Sequence, residues 1–229
     1  MSSTNMNRKI VILKYGESVF NEKYIFEGGD PNTMLPISFV FCLIQEGDRN
    51  ILIDVGCNDG AGFVMSCFCK PAELLKNYGI APEEVTDVVI THHHRDHIEA
   101  IGSYRNAVIY MQKEEYQLGK KFIPSELQVH TYDEEMVLGE GILVKRIGGH
   151  SVGSAIVLCE CQGMEYVFCG DECYVKACLE QQIPTGSSYN PRISRQFIEE
   201  YGKGKYEPIL FHDPDILRGS TGYLVVAEG

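Results

Sequence analysis

Short apolar runs broken by glycine, proline and charged clusters dominate the chain and predict many strands with helices interspersed. Lys9–Lys14, Ile37–Gln45 and Asn50–Val55 read as strands, with Glu46-Gly47-Asp48-Arg49 as the turn joining the last two. Pro71–Tyr78 reads as a helix opened by its proline and stopped by Gly79. Thr86–Ile90 is a strand, His97–Ser103 a short helix, Ala107–Met111 a strand and Lys113–Leu118 a helix. A β-rich stretch follows in Leu127–Tyr132, Gly141–Ile147, Ser154–Cys161 and Glu165–Cys169. Pro191–Gly202 then carries Ile193, Phe197, Ile198 and Tyr201 on one helical stripe, and Ile209–His212 and Gly222–Ala227 close the chain as strands. Tyr15–Pro36 and Ile183–Pro191 lack periodicity and read as loops of the kind that wall pockets. Two β-rich halves, each with helices, predict two sheets packed face to face with helices outside.

Bulk properties narrow the partners. The 229 residues suit one domain spanning 1–229, and 44% hydrophobic with 23% charged residues is ordinary for a soluble globular protein. Lys and Arg number 20 against 32 Asp and Glu, a formal charge of −12 with no basic stripe, which argues against nucleic acid as a partner. No apolar run approaches membrane-spanning length, and the start reads as no signal peptide, so a cytoplasmic setting without membrane is expected. Nine cysteines, an odd number, fit free thiols in a reducing compartment. Cys159 and Cys161 read as two small core residues on one strand face; Cys67 and Cys69 share that spacing. Cys169 and Cys173 stand near candidate site residues, where oxidation sensitivity is the alternative to a plain core role.

The chemistry concentrates in residues 91–97, Thr-His-His-His-Arg-Asp-His, directly after Val88-Val89-Ile90. His92, His94, Asp96 and His97 spell H-x-H-x-D-H, and four metal-competent side chains at the end of a strand have no ready structural purpose. Imidazole and carboxylate are the donor set for zinc, or for iron or manganese in a harder site. Four more polar residues end apolar strand-like runs: Asp54, His150, Asp171 and His212. Glycines adjoin or lie near several of them, in Val55-Gly56, Gly148-Gly149 and Gly170, and permit tight turns. Taken singly, each is more simply a loop histidine or a capping acid; their order raises the odds. His93 occupies the x of the motif, and neither it nor His130 belongs to the pattern.

With these residues in order across almost the whole chain, the sequence resembles the metallo-β-lactamase superfamily. The resemblance implies a mixed α/β (α+β) fold, a four-layer αββα sandwich with a dinuclear site at one edge of the β layers. It implies that His92, His94 and His150 hold a first metal, that Asp96, His97 and His212 hold a second, that Asp171 bridges them, and that Asp54 fixes a ligand from behind. The implied cofactors are two divalent ions per chain, zinc first, sharing a hydroxide nucleophile. Flavodiiron members place Glu where His94 stands, and nuclease members bring basic surfaces and further domains, so neither branch fits.

Within the superfamily the chain is most similar to the N-acyl homoserine lactone lactonases. Tyr174 stands three positions after Asp171, where that group places a tyrosine on the substrate carbonyl; a tyrosine packed under a loop is the plain alternative. Leu35-Pro36-Ile37-Ser38-Phe39 and Leu210-Phe211-His212-Asp213-Pro214-Asp215 also resemble that group, and Gly28–Pro36 is placed to wall an acyl pocket. Ile98-Glu99-Ala100-Ile101-Gly102 departs from the usual Ala/Gly-Gly turn, and Glu99 there either repels anionic substrates or caps a helix. The expectation is a hydrolase that opens a lactone or cleaves a related ester, with Asp96 also shuttling a proton to the leaving alkoxide. Alternatives are a thioester hydrolase similar to glyoxalase II, whose basic C-terminal extension is missing here, and a mononuclear iron dioxygenase of the persulfide type. A small-molecule ester or lactone is the expected partner, and a homodimer is compatible with it.

Overall fold

A computed structural model describes residues 7–202 and 204–229. The thirteen strands among these residues are β1 (Arg8–Asn21), β2 (Met34–Glu46), β3 (Arg49–Ile53), β4 (Cys67–Phe68), β5 (Asp87–Ile90), β6 (Val108–Gln112), β7 (Val129–Tyr132), β8 (Glu135–Gly139), β9 (Ile142–Arg146), β10 (Ala155–Cys161), β11 (Met164–Phe168), β12 (Tyr206–Ile209) and β13 (Gly222–Glu228). The six α-helices among these residues are α1 (Glu22–Ile25), α2 (Pro71–Tyr78), α3 (Arg95–Ile98), α4 (Lys113–Gly119), α5 (Lys176–Gln181) and α6 (Pro191–Tyr201). The first sheet runs β13-β1-β2-β3-β5-β6-β7 with β4 beside β1, and the second runs β12-β11-β10-β9-β8.

The apolar run 37–44 shows why the molecule has four layers. Val40, Cys42 and Ile44 join Val144, Val157 and Phe168 of the second sheet in a core between the two sheets. Phe39, Phe41 and Leu43, on the opposite face of the same strand, join Leu74 and Leu75 of α2 and Ile98 of α3. A strand buried on both faces needs apolar residues at successive positions, so alternation vanishes there. On the far side, Phe197, Ile198 and Tyr201 of α6 belong with Ile156 and Val167 of the second sheet. The αββα sandwich expected from the sequence is therefore present.

The helices end where local chemistry dictates. α2 opens on Pro71, and Gly79, at φ 114°, donates to the Leu75 and Lys76 carbonyls as its left-handed cap. α6 likewise begins at Pro191, and the Asn190 side chain accepts from Ile193 N.

The elements depart from expectation in several places. Tyr15–Pro36 is not one long loop: β1 continues past an irregularity near Gly16 to Asn21 and pairs with Met34–Phe39. Tertiary pairing satisfies that backbone although Gly16, Glu17 and Ser18 give no strand pattern. β4, β8 and α5 are further elements, α1 forms inside the stretch expected to be a loop, and the strand expected at Ile209–His212 is β12 at Tyr206–Ile209.

Strands β3, β5, β6 and β7 are mutually parallel, as are β11 and β12. The segments after β3, β5, β9, β11 and β12 carry Asp54, the histidine motif, His150, Asp171 and His212 respectively. Crevices beyond the carboxyl ends of parallel strands are where α/β folds place ligands.

Candidate metal centre

The histidine motif leaves β5 extended and turns into α3 at Arg95, so its side chains splay rather than alternate. One group of donor atoms, from His92, His94, His150 and Asp171, lies within 4.8 Å of one another. A second, from Asp96, His97 and His212, does the same. All seven expected ligands are thus gathered at one place. His94 Nδ1 lies 3.0 Å from His92 Nε2 and 2.9 Å from His150 Nε2. Asp171 stands between the groups: Oδ2 is 3.5 Å from His92 Nε2 and 3.3 Å from His150 Nε2, while Oδ1 is 3.1 Å from His97 Nε2 and 3.0 Å from His212 Nε2.

Hydrogen bonds behind the rings settle which nitrogen faces inward. Asp54, buried in a left-handed conformation (φ 59°), accepts from Thr91 N at 2.7 Å and Thr91 Oγ1 at 2.8 Å. The same carboxylate takes His97 Nδ1–H at 2.7 Å. Because the Thr91 hydroxyl gives its hydrogen to Asp54, it accepts from His92 Nδ1–H at 3.1 Å. His212 Nδ1–H donates to the Ser38 carbonyl at 2.8 Å. Each of these rings is left presenting Nε2 to the cluster, and His97 Nε2 is a buried atom with no hydrogen-bond partner. Such a backing bond is the usual device for orienting a metal-binding imidazole.

The electrostatics call for a cation. Burial holds His92, His94 and His150 below the usual histidine range, His150 at about 4, so these rings are neutral donors. Burial pulls His97 the same way, yet the carboxylates of Asp171, Asp54 and Asp96 overcome it and raise its pKa well above normal. Burial would raise Asp171, but His97, His212, His92 and His150 hold it well below the usual carboxylate range. Inward lone pairs, an orphaned buried nitrogen and a mixed imidazole–carboxylate donor set fit divalent metal.

Several supporting residues escaped the sequence reading. Glu172, fully buried and raised to about 7 by that burial, accepts from Gly149 N at 3.1 Å, His150 N at 3.2 Å and the Ser154 hydroxyl. A side chain at Gly149 would collide with this carboxylate, which explains the glycine before His150. Gly170 (φ +49°) brings the chain before Asp171 so close to Thr91 that a Cβ would lie 2.9 Å from its hydroxyl. Thr91 and Glu172 adjoin recognised residues, but only their burial marks them. Glu99 accepts from Asn58 N at 2.6 Å and so secures the segment after β3. His93 bonds to Glu115, and His130 lies beside Gln128; neither is in the cluster. Cys169 and Cys173 are fully buried, all nine thiols are free, and Cys159 and Cys161 are the expected core residues.

Above the cluster is a cavity of about 240 Å³ lined by His94, Asp96, His150, Asp171 and His212, with Tyr174 and Ser187 alongside. Its apolar wall is Phe20, Tyr24, Ile37 and Phe63. The Tyr174 ring centre is 5.0 Å from that of His212 and 5.9 Å from that of His150. Burial and then the Asp171 charge raise the Tyr174 pKa well above normal. The long β1–β2 hairpin, not a loose loop, supplies Phe20 and Ile37.

This fold, with histidines and aspartates gathered at the strand ends, defines a class of metal-dependent hydrolases. Residues 40–189 match the model of the metallo-beta-lactamase superfamily, and the chain belongs to that superfamily as a metal-dependent hydrolase. Among relatives, it is 21% identical over 235 residues to an N-acyl homoserine lactonase of Bacillus thuringiensis, covering 91% of this chain and 94% of the relative. A probable metallo-hydrolase of Methanocaldococcus jannaschii is 23% identical over 139 residues, 61% of this chain and 62% of that one. The fold is similar to that of an N-acyl homoserine lactone hydrolase solved with N-hexanoyl-L-homoserine at its catalytic metal centre. That pair has a TM-score of 0.79 at 19% identity, covering 91% of this chain and 94% of the other. A dizinc quorum-quenching lactonase gives a TM-score of 0.75 at 15% identity, covering 98% and 96%. Among the described residues no helix is long and apolar enough to cross a membrane.

Proposed function

We propose that the protein hydrolyses small uncharged lactones or related carboxylic esters at a dinuclear metal centre. One observation carries the reading: two adjoining donor groups, sharing the reach of Asp171, floor a narrow, largely apolar cavity beside the Tyr174 phenol. His92, His94 and His150 would hold one ion, Asp96, His97 and His212 the other, and Asp171 both. Bound divalent ions would supply Lewis acidity and a water acidified towards neutral pH, and zinc suits the donors best.

The chain's own residues do the rest. Phe20, Phe63, Ile37 and Tyr24 desolvate the substrate and hold its apolar part away from water. Tyr174, on the opposite side of the chain from that wall in sequence but beside His212 in space, donates its phenolic hydrogen to the carbonyl oxygen as negative charge develops there. Asp96, whose side chain keeps 15% of its exposure and lines the cavity, takes up the proton that the attacking water gives up on adding to the carbonyl and hands it to the departing alkoxide. Asp54 keeps His97 in its working tautomer throughout.

The lining favours esters over the alternatives. None of the residues lining this cavity is a lysine or arginine, so an anionic thioester such as a glutathione conjugate finds no counter-charge. The presence of both donor groups disfavours a mononuclear iron dioxygenase. The lactonases among the relatives support the choice of lactone. The test is metal analysis of the purified protein joined to a lactone, thioester and phosphodiester panel followed by acid release. Two ions per chain with lactone turnover are expected; one ion or none, without ester turnover, rejects the proposal.

A further inference from the structure

Glu115 lies outside both donor groups, yet its carboxylate is fully buried. It stands in the first turn of α4, where the Gln112 side chain accepts from Glu114 N at 2.7 Å and Glu115 N at 3.3 Å. Both of its oxygens are doubly engaged. Oε2 accepts from His93 N at 2.9 Å and His93 Nδ1–H at 2.6 Å. Oε1 accepts from the Ser151 hydroxyl at 2.8 Å and Gly153 N at 2.8 Å. Burial would raise its pKa, but these four donors outweigh it and hold the carboxyl below its ordinary value.

The donors come from two loops far apart in sequence. His93 stands between His92 and His94; Ser151 follows His150. We propose that Glu115 is a positioning residue for the metal centre, a single carboxylate that ties the loop bearing His92 and His94 to the loop bearing His150. The inference rests on reading those three histidines as ligands of one ion. His92 Nε2, His94 Nδ1 and His150 Nε2 lie about one hydrogen-bond length apart, at 3.0 and 2.9 Å across His94, although two different loops deliver them. Besides the backbone bond from Ala155 N to the Thr91 carbonyl at 3.0 Å, the Glu115 carboxylate joins the two loops, and such a brace fixes the spacing of ligands delivered by separate segments. It also gives a purpose to His93, the histidine of the motif that belongs to neither donor group.

The chemistry requires a carboxylate at full length. Four donors converge on two oxygens, so an amide fails in either orientation: its NH2 must face two N–H or O–H donors. Aspartate keeps the charge but is shorter by one methylene and reaches only one loop. The test uses the full-length protein, with Zn2+ affinity measured by chelator competition and the visible spectrum of the Co2+-substituted form as a second readout. Glu115→Gln and Glu115→Asp are expected to weaken one of two Zn2+ sites by about 10- to 100-fold and to alter the Co2+ spectrum. His93→Ala and Ser151→Ala, each removing one donor, are expected to do the same to a smaller degree. Unchanged affinities and spectra in folded variants, with only a lower melting temperature, make Glu115 a packing brace and overturn the proposal. If Glu115→Gln does not fold, the His93 and Ser151 variants decide by the same outcomes. A wild-type protein that binds no Zn2+ overturns the metal-centre reading itself, which is distinguishable from a wild type that binds two ions while the variants bind them equally well.

Discussion

Asp54 Oδ2 and His97 Nδ1 are 2.7 Å apart, and this bond decides that His97 turns Nε2 towards Asp171. Asp54 occupies φ 59°, a region that asparagine tolerates and most residues do not. Asp54→Asn therefore keeps the turn but replaces one acceptor oxygen by a donor. Metal affinity at one site is expected to fall about 10- to 100-fold, measured by chelator competition, with the circular dichroism spectrum unchanged. Unaltered affinity would show that the ring is oriented by other means.

Tyr174→Phe removes a hydroxyl from beside the cluster while leaving the ring against His212. With metal sharing the oxyanion charge, kcat on the best lactone is expected to drop about 10- to 100-fold, with KM nearly constant. Steady-state kinetics on the metal-loaded enzyme decide this, and equal kcat values return Tyr174 to a packing role.

The rings of Phe20 and Phe63 meet edge to face at 5.4 Å across the cavity wall. Phe63→Ala opens that wall without touching a metal donor. The ratio of kcat/KM for long-chain over short-chain acyl lactones should rise by about 10-fold, since each methylene newly accommodated is worth about 1 kcal/mol. An unchanged ratio places the acyl group elsewhere.

Away from the site, Lys14 is fully buried and held by Glu17 at 2.6 Å and the Leu217 carbonyl at 3.0 Å. The Lys14 hydrogen bond, with Gly219 N, lowers the Glu17 pKa below 4.5. A depressed carboxyl stabilises the fold above its unfolded pKa, and that contribution disappears as pH falls through the folded value. Glu17→Gln is expected to cost about 3 kcal/mol at pH 7, the low end for leaving a buried charge unpaired. The difference from wild type should shrink as pH falls through the depressed folded pKa of Glu17; urea titrations at pH 7 and across the acid range test this.

Chelation should lower the melting temperature. In the proposed centre, removing the ions would leave Asp96 and Asp171 with only the His97 and His212 imidazoles between them. Saturation at 100 times Kd contributes about 2.7 kcal/mol per ion, or roughly 5–10 °C for a chain of this size. Differential scanning calorimetry with and without chelator measures it, and a shift below 1 °C would argue against tight metal binding.

The seven donors were legible because histidine and aspartate after apolar strands are chemically conspicuous wherever they stand. The aromatic wall was not. Phe20 sits in a stretch broken by Gly16, Glu17 and Ser18, and only pairing of Ser18 and Phe20 with Ile37 and Leu35 makes it strand. Glu115 was equally hidden: beside Lys113 and Glu114 it looks like one more surface acid on a short helix, and its burial comes from loops 22 and 36 residues away.

By itself the sequence determined the donor chemistry, most of the strands and the layered fold, because residue type and apolar patterning are local properties. Which nitrogen each ring presents, how closely Asp171 approaches each donor group and which side chains wall the cavity were decided by the tertiary structure. Those are relations between segments far apart in the chain, formed only when two sheets pack and bring their strand ends to one edge.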